Sequence, residues 1–158
     1  MNRENIYVFT LAYAILTFYG IGAGFLNHFV TYRSWEDVGK YVSNTDFPKW
    51  HSETSKNIIR VFVIPMAIRT VLTISLFWFR PASIPVPFVW MVLGCQVVEW
   101  ASSAFIQIPA QIHLSTVGYS KELIERIIST DWIRKAGLLI EAVVILKTIN
   151  MLIIRHKI

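Results

Sequence analysis

Residues 86–108 of the chain are VPFVWMVLGCQVVEWASSAFIQI, and they indicate the fold class most directly. It is longer than the ~20 residues that an α-helix needs to cross the hydrocarbon core of a bilayer. Glu99 nevertheless lies near its middle, where an unpaired charge would cost several kcal/mol. Glu99 must therefore face a partner or a polar cavity, which requires neighbouring helices.

Three further apolar stretches have the same character, at about residues 6–30, 58–79 and 136–154. With the first stretch they predict one all-α domain, residues 1–158, that is an integral membrane four-helix bundle. The composition agrees, because 54% of the residues are hydrophobic and only 16% are charged, which leaves no room for a soluble domain. Residues 6–30 exceed the length of a signal peptide core, so we expect them to be retained.

The basic residues concentrate near the ends of these stretches. The net charge of +5 is therefore expected to serve contacts with lipid headgroups, and no nucleic-acid partner is expected. Four spans place the longer connections, 31–57 and 109–135, on one side (the loop side) and both termini on the other (the terminal side). Basic residues are more numerous on the loop side but denser on the terminal side, so the orientation stays open.

The connections carry their own signals. The proline-rich segment 80–87 predicts a tight turn. Amphipathic patterns at 34–42 and 121–130 predict two short interfacial helices that lie on the bilayer surface on the loop side. Pro65 should kink the second span and free the carbonyl of Val61, and Pro109 should end or kink the third.

Each span has a polar face when residues are placed about 100° apart. Lipid offers no hydrogen bonds, so these faces must turn towards one another. We expect Arg69 to pair with Glu99 or Glu141, either as a structural clamp or as part of a pocket that holds a ligand or a proton path. The four faces are Thr10, Thr17, Gly24 and His28; Met66, Arg69 and Thr73; Gln96, Glu99, Ser103, Gln107 and Gln111; and Arg134, Glu141 and Thr148.

Three histidines, His28, His51 and His113, belong to the loop side. Imidazoles and carboxylates are ligands for iron, copper and zinc, so a transition-metal site built on these histidines is one hypothesis. Their spacing matches no metal-binding signature. One alternative is an acid–base site built from at least two of these histidines. The other is that the three histidines are unrelated interfacial residues. His156 is expected to belong to a basic tail that faces headgroups.

Several short motifs follow one another along the chain: Asn27-His28, Thr31-Tyr32-Arg33-Ser34-Trp35, Phe47-Pro48-Lys49-Trp50-His51, Gln107-Ile108-Pro109-Ala110-Gln111-Ile112-His113-Leu114 and Asp131-Trp132-Ile133-Arg134. In these motifs the chain resembles a bacterial family of small four-helix membrane proteins of unknown function, distantly similar to the anthrone oxygenase-like domain. The resemblance implies a multi-pass protein of the bacterial inner (plasma) membrane. It also implies that Asn27, His28, His51, Gln107, Gln111, His113, Trp132 and Arg134 matter. Arg69, Glu99 and Lys147 are not part of the family pattern.

The first functional hypothesis is a membrane oxidoreductase or oxygenase that acts on a hydrophobic, aromatic or quinone-like molecule in a polar pocket within the bundle. The catalytic candidates are His28, His51, His113, Arg134 and Glu99, and the substrate-binding candidates are Asn27, Arg69, Gln107, Gln111, Trp132 and Glu141. One alternative is a non-catalytic lipid- or pigment-binding protein or structural subunit. Another is a small proton-coupled transporter. The expected partners are the lipid bilayer, a hydrophobic small molecule, and a second copy or a larger membrane complex.

Overall fold

The structure, a computed structural model, describes residues 3–80 and 84–154, with side chains from residue 6 onward. The centre of the proline-rich link, residues 81–83, and the basic terminal segment that contains His156 lie outside the described residues.

The described chain is an all-α four-helix bundle, as the sequence predicts. Its elements join into four long helices, Ile6–Gly39, Phe47–Phe79, Val86–Thr116 and Lys121–Ile154. The α-helices are α1 (Arg3–Leu26), α2 (Tyr32–Gly39), α3 (Phe47–Ser55), α4 (Ile64–Phe79), α5 (Val86–Ser102), α6 (Ile108–Thr116) and α7 (Lys121–Ile154). Three π-helical turns lie within the long helices, at Asn27–Thr31, Ile59–Val63 and Ser103–Gln107. No strand occurs among residues 3–80 and 84–154.

All four long helices are long and apolar enough to cross a membrane. With 31 to 34 residues each, they are roughly 47–51 Å long at about 1.5 Å per residue, against a hydrocarbon core of ~30 Å. The excess length belongs to the loop side, because the exposed ion pairs lie there. These pairs are Arg33–Glu36, Lys40–Asp37, Lys56–Glu53 and Lys121–Glu125. The outer surface nearer the terminal side exposes large apolar side chains, among them Leu11, Val71, Trp90, Val97 and Leu146, as lipid contact requires.

The two amphipathic segments are helical, but they are not separate helices lying on the bilayer. Residues 32–39 continue the first long helix beyond a π-helical turn, and residues 121–130 are the first turns of α7. Their apolar faces are buried against α3 and α6, which extend to the same level along the bundle. These faces are therefore covered by protein rather than by lipid. We call the resulting cluster the loop-side cap. It consists of Tyr32, Trp35, Phe47, Ala110, Leu114, Ile124 and Ile127.

Two of the π-helical turns end two residues before a proline, Pro65 or Pro109. A proline lacks the N–H that would bond to the carbonyl four residues earlier. The N–H of Ile64 instead donates to the carbonyl of Ile59, five residues back. The predicted release of the Val61 carbonyl is confirmed, and the Tyr19 hydroxyl donates a hydrogen bond of 3.1 Å to it. Pro109 does not end the third long helix, which continues to Thr116.

Candidate functional site

A cavity of about 130 Å³ lies between the four long helices, at the height of the three π-helical turns. Each turn contributes to the lining, among others through Asn27, Val61 and Gln107. Such turns recur at functional sites in proteins. The volume is close to that of a cavity of roughly 150 Å³ that accepts benzene. The cavity therefore has room for about one aromatic ring, or for several waters, and a larger ligand would extend through its open side.

The innermost part of the cavity wall contains the predicted ion pair. The Arg69 guanidinium forms an ion pair with Glu99, and its Nε lies 3.4 Å from Oε2 of Glu141. The three side chains are at most 3% exposed. Arg69 therefore pairs with both carboxylates that the sequence offered as alternatives. We call Arg69, Glu99 and Glu141 the deep cluster.

Further polar side chains extend the deep cluster towards the terminal side. The Tyr13 hydroxyl donates to Glu141 Oε2 over 2.7 Å. Nε2 of Gln96 donates to the Tyr13 hydroxyl at 3.0 Å and to Thr73 Oγ1 at 2.9 Å. Sequence reasoning overlooked Tyr13, although its position between Thr10 and Thr17 places it on the same helical face. Three buried oxygens of this polar network have no hydrogen-bond partner among the described residues: Glu99 Oε1, Glu141 Oε1 and Gln96 Oε1.

A second group of charges, the shallow cluster, lies nearer the loop side and consists of His28, Asp131, Arg134 and Lys135. The Lys135 ammonium bonds to Asp131 and approaches His28 Nδ1 at 2.9 Å. Oδ2 of Asp131 lies 3.4 Å from the same Nδ1 atom, so His28 can accept from the ammonium there or, with Nδ1 protonated, donate to the carboxylate. Nη1 of Arg134 lies 3.6 Å from Asp131 Oδ1. This cluster pairs one carboxylate with two cations.

An aromatic ring supports the buried lysine. Nζ of Lys135 lies 4.7 Å from the centroid of the Trp132 ring, within the range of a cation–π interaction. The His28 ring packs edge-on against the same indole, with 5.1 Å between centroids. The sequence prediction placed Lys135 in a connection and missed its role, although its position four residues after Asp131 puts both on one helical face.

Gln107 ties the cavity wall to the loop-side cap. The Tyr32 hydroxyl donates to its Oε1 at 3.2 Å. Its Nε2 donates to the Ile127 carbonyl and to Thr130 Oγ1, each at 3.3 Å. Gln107 therefore has a structural role in addition to lining the cavity.

The structure brings together most of the predicted site residues. Six of them line the cavity: Asn27, Arg69, Glu99, Gln107, Gln111 and Arg134. Glu141 and His28 lie directly behind this wall, each hydrogen-bonded or ion-paired to a lining residue. Trp132 flanks Lys135 and is 48% exposed. Lys147 is exposed on α7, away from the polar face, as predicted.

The other two histidines lie elsewhere. His51 is buried in the loop-side cap, with its Nδ1 2.8 Å from Ser115 Oγ and its ring 4.4 Å from that of Trp35. His113 is exposed on α6. Neither residue lines the cavity. The face of α3 that carries His51 turns into the cap because Phe47, on the same face, packs there.

These positions do not fit the hypothesis of a metal site built on His28, His51 and His113. Residues 3–80 and 84–154 contain no group of three or more His, Cys, Asp or Glu side chains that could hold a metal ion. The Nδ1 atom of His28 is already engaged, with the Lys135 ammonium at 2.9 Å and Asp131 Oδ2 at 3.4 Å. No chemical step through a metal is therefore derived for this pocket.

No family model matches the chain, and no curated protein or solved structure matches it significantly. The resemblance to the bacterial four-helix family accordingly stays a prediction.

Proposed function

We propose that this chain binds a hydrophobic, aromatic or quinone-like molecule in the pocket and acts on it as a membrane oxidoreductase or oxygenase. The observation that carries the proposal is the lining of one cavity by two kinds of wall. Leu16, Ala23 and Phe62 provide an apolar wall, whereas the deep and shallow clusters provide charged groups. An apolar pocket with a few convergent polar groups is typical of sites for small hydrophobic ligands.

The position of the cavity favours entry from the lipid. Three of its lining residues are also partly exposed on the outer surface: Tyr19 at 44%, Val61 at 37% and Ile108 at 48%. Tyr19 and Val61 belong to the first and second long helices and are hydrogen-bonded to each other. A molecule dissolved in the bilayer would therefore reach the pocket without crossing water.

The polar groups suit a ligand that carries oxygen on an aromatic ring. Arg134 and Lys135 bring an excess of positive charge to the loop-side end of the pocket, where a phenolate or a carbonyl oxygen would bind. The Gln111 side chain adds an amide donor there. At the other end, the Glu99 carboxylate is positioned to accept or return a proton.

In an oxygenase reaction of this class, a ring methylene group loses a proton to a base, for which Glu99 is the candidate. The resulting anion transfers electrons to dioxygen, the oxidant. A C–O bond forms, the second hydrogen of the methylene group leaves as a proton and the O–O bond breaks. One oxygen atom therefore remains on the carbon as a carbonyl, and the other leaves as water with the two hydrogens of the methylene group. The positive groups of the shallow cluster would stabilise the anion.

The proposed setting is the inner membrane of a bacterial cell, as the sequence resemblance implies. The four long apolar helices and the lipid-facing opening of the pocket support a multi-pass protein that works within the membrane.

Two glycines of the first long helix offer a matched test. Gly24 lines the pocket, whereas a Cβ added at Gly22 would meet nothing within 4 Å. The wild type, Gly24→Leu and Gly22→Leu would be placed in lipid nanodiscs and titrated with anthrone and with decylubiquinone, with empty nanodiscs as the baseline. We expect saturable binding in the wild type and in Gly22→Leu, and its loss in Gly24→Leu, because the added side chain fills the cavity.

Turnover is measured on the same samples as oxygen consumption and as conversion of anthrone to anthraquinone. Consumption that disappears in Gly24→Leu and in Glu99→Gln supports the oxygenase. Saturable binding without turnover supports instead the non-catalytic ligand-binding alternative. Uptake no greater than that of empty nanodiscs, or equal uptake by both glycine variants, contradicts the pocket as the binding site.

A further inference from the structure

We propose that the Glu99–Glu141 pair holds one exchangeable proton and that Tyr13 connects this proton to the terminal side of the membrane. The described side chains would thus form a proton path from the terminal-side half of the bundle to the pocket. Its use by a bound substrate rests on the proposed function, whereas the proton exchange itself occurs, and is measured, without a ligand.

The first argument is the charge of the deep cluster. Two carboxylates and one guanidinium leave one negative charge in excess when both glutamates are ionised. Among the described residues, Arg69 is the cation that forms ion pairs with Glu99 and Glu141. The next cation, Arg134, acts on Glu99 only at longer range. A charge without a further cation in contact is expensive at this depth, so a proton on one of the two carboxyl groups gives the simplest locally neutral arrangement.

The second argument is the geometry of the two carboxyl groups. Both interact with the same guanidinium and with each other, so either can hold the proton. Oε1 of each glutamate is buried without a hydrogen-bond partner among the described residues. A proton on one of the two carboxyl groups makes it an O–H donor, for which an oxygen of the other glutamate is an acceptor. The unpartnered oxygens therefore agree with a shared proton.

The third argument is connectivity. Glu99 lines the pocket, and Arg69 bridges it to Glu141. The Tyr13 hydroxyl donates to Glu141 over 2.7 Å. The Tyr13 side chain in turn lines a smaller cavity of about 30 Å³ on the terminal side, together with Thr10 and Thr148. The lining of this cavity is mostly apolar, and Tyr13 is the residue that belongs both to it and to the hydrogen bonds of the deep cluster.

The other titratable or charged groups that face the two glutamates come from all four long helices. They are Tyr13 from the first, Arg69 from the second, Cys95 from the third and, at longer range from Glu99, Arg134 from the fourth. Of these, only Tyr13 reaches the terminal-side cavity. Tyr13 is therefore the residue at which the path can be interrupted.

Infrared spectroscopy of the protein in nanodiscs, without ligand, tests for the proton. We expect the carbonyl stretch of a protonated carboxyl group in the wild type. Glu99→Gln and Glu141→Gln should each abolish the band, because a single glutamate opposite Arg69 forms a neutral pair and stays ionised. Glu53→Gln, which removes an exposed carboxylate paired with Lys56, should leave the band unchanged. A wild-type spectrum without the band, or a band that survives both glutamine variants, overturns the proposal.

The rate at which this band shifts after transfer into heavy water tests the path. We expect Tyr13→Phe to slow the exchange by about tenfold or more, because a hydroxyl that relays the proton has been removed. The matched control is Tyr19→Phe, since Tyr19 is also on the first long helix but donates to the Val61 carbonyl. Equal rates in the wild type and in Tyr13→Phe would show that the proton enters from the pocket, and would overturn the terminal-side path.

Discussion

The deep and shallow clusters are built from the same kinds of groups in opposite proportion. The deep cluster has two carboxylates and one guanidinium, all nearly fully buried. The shallow cluster has one carboxylate, Asp131, against the two cations Lys135 and Arg134, with Nδ1 of His28 in contact with both Lys135 and Asp131. The deep cluster thus has a surplus of negative charge and the shallow cluster a surplus of positive charge.

The opposite charges at its two ends allow one pocket to accept two unlike particles. A surplus of positive charge favours an anionic oxygen at the loop-side end, whereas a surplus of negative charge favours a proton at the inner end. An anion bound at the shallow end neutralises the positive charge that partly compensates the negative charge of the two glutamates. Binding of the anion should therefore favour uptake of the proton.

The largest expected effect comes from removing the single cation of the deep cluster. Arg69→Met leaves two carboxyl groups without an ionic partner in an apolar interior. We expect a loss of about 3–5 kcal/mol in the free energy of unfolding, measured by titration with a denaturing detergent in mixed micelles.

The matched control is the double variant Arg69→Met with Glu99→Gln. Only Glu141 then remains, and a proton can neutralise it while Tyr13 and Gln96 keep their hydrogen bonds. The double variant should be more stable than Arg69→Met alone. A double variant that is less stable would show that the surplus negative charge is not what destabilises the single variant.

A smaller effect is expected at the shallow cluster. Asp131→Asn leaves Lys135 and Arg134 without their carboxylate, but Lys135 keeps His28 and the Trp132 ring as partners. Arg134 is 16% exposed and is therefore partly solvated. We expect a loss of about 2–3 kcal/mol, measured in the same way. Adding Lys135→Met should recover part of it, and a loss greater than that of Arg69→Met would reverse the ranking of the two clusters.

The smallest expected effect concerns the space around Glu99. A Cβ added at Gly137 would lie 3.2 Å from Glu99 Oε1, whereas one added at Gly94 would meet nothing within 4 Å. Gly94→Ala should stabilise the helix by roughly 0.5–1 kcal/mol. Gly137→Ala should gain less, or lose stability, because the glutamate must move by a few tenths of an ångström. Equal increases in the thermal unfolding temperature of the two variants would mean that Glu99 can be displaced without loss of stability.

The charged part of the site could be predicted because the bilayer leaves so few alternatives. Arg69, Glu99 and Glu141 lie in long apolar stretches, and helical periodicity assigns each to a polar face that must turn inward. The buried positions of Thr17, Thr73 and Gln96 confirm the same rule for uncharged groups. Periodicity alone could not decide between Glu99 and Glu141 as the partner of Arg69, because the guanidinium reaches both.

The loop side could not be predicted as well, because its polar and aromatic residues face no lipid to constrain them. The amphipathic faces at 34–42 and 121–130 could pack against a bilayer surface as well as against each other. They form the loop-side cap because α3 and α6 extend to the same level along the bundle. The same packing separates His51 and His113 from His28. The π-helical turns had a partial signal in Pro65 and Pro109, but the turn at Asn27–Thr31 has no proline after it.

Asp131 and Glu141 belong to the same uninterrupted helix, α7, and are separated by about 15 Å of helical rise. Since each residue turns an α-helix by about 100°, the angle between their side chains is fixed by the number of residues between them. Insertion or deletion of one residue in this interval would swing Glu141 away from Arg69 while Asp131 kept its place. The number of residues between Asp131 and Glu141 is therefore as necessary to the site as the two side chains themselves.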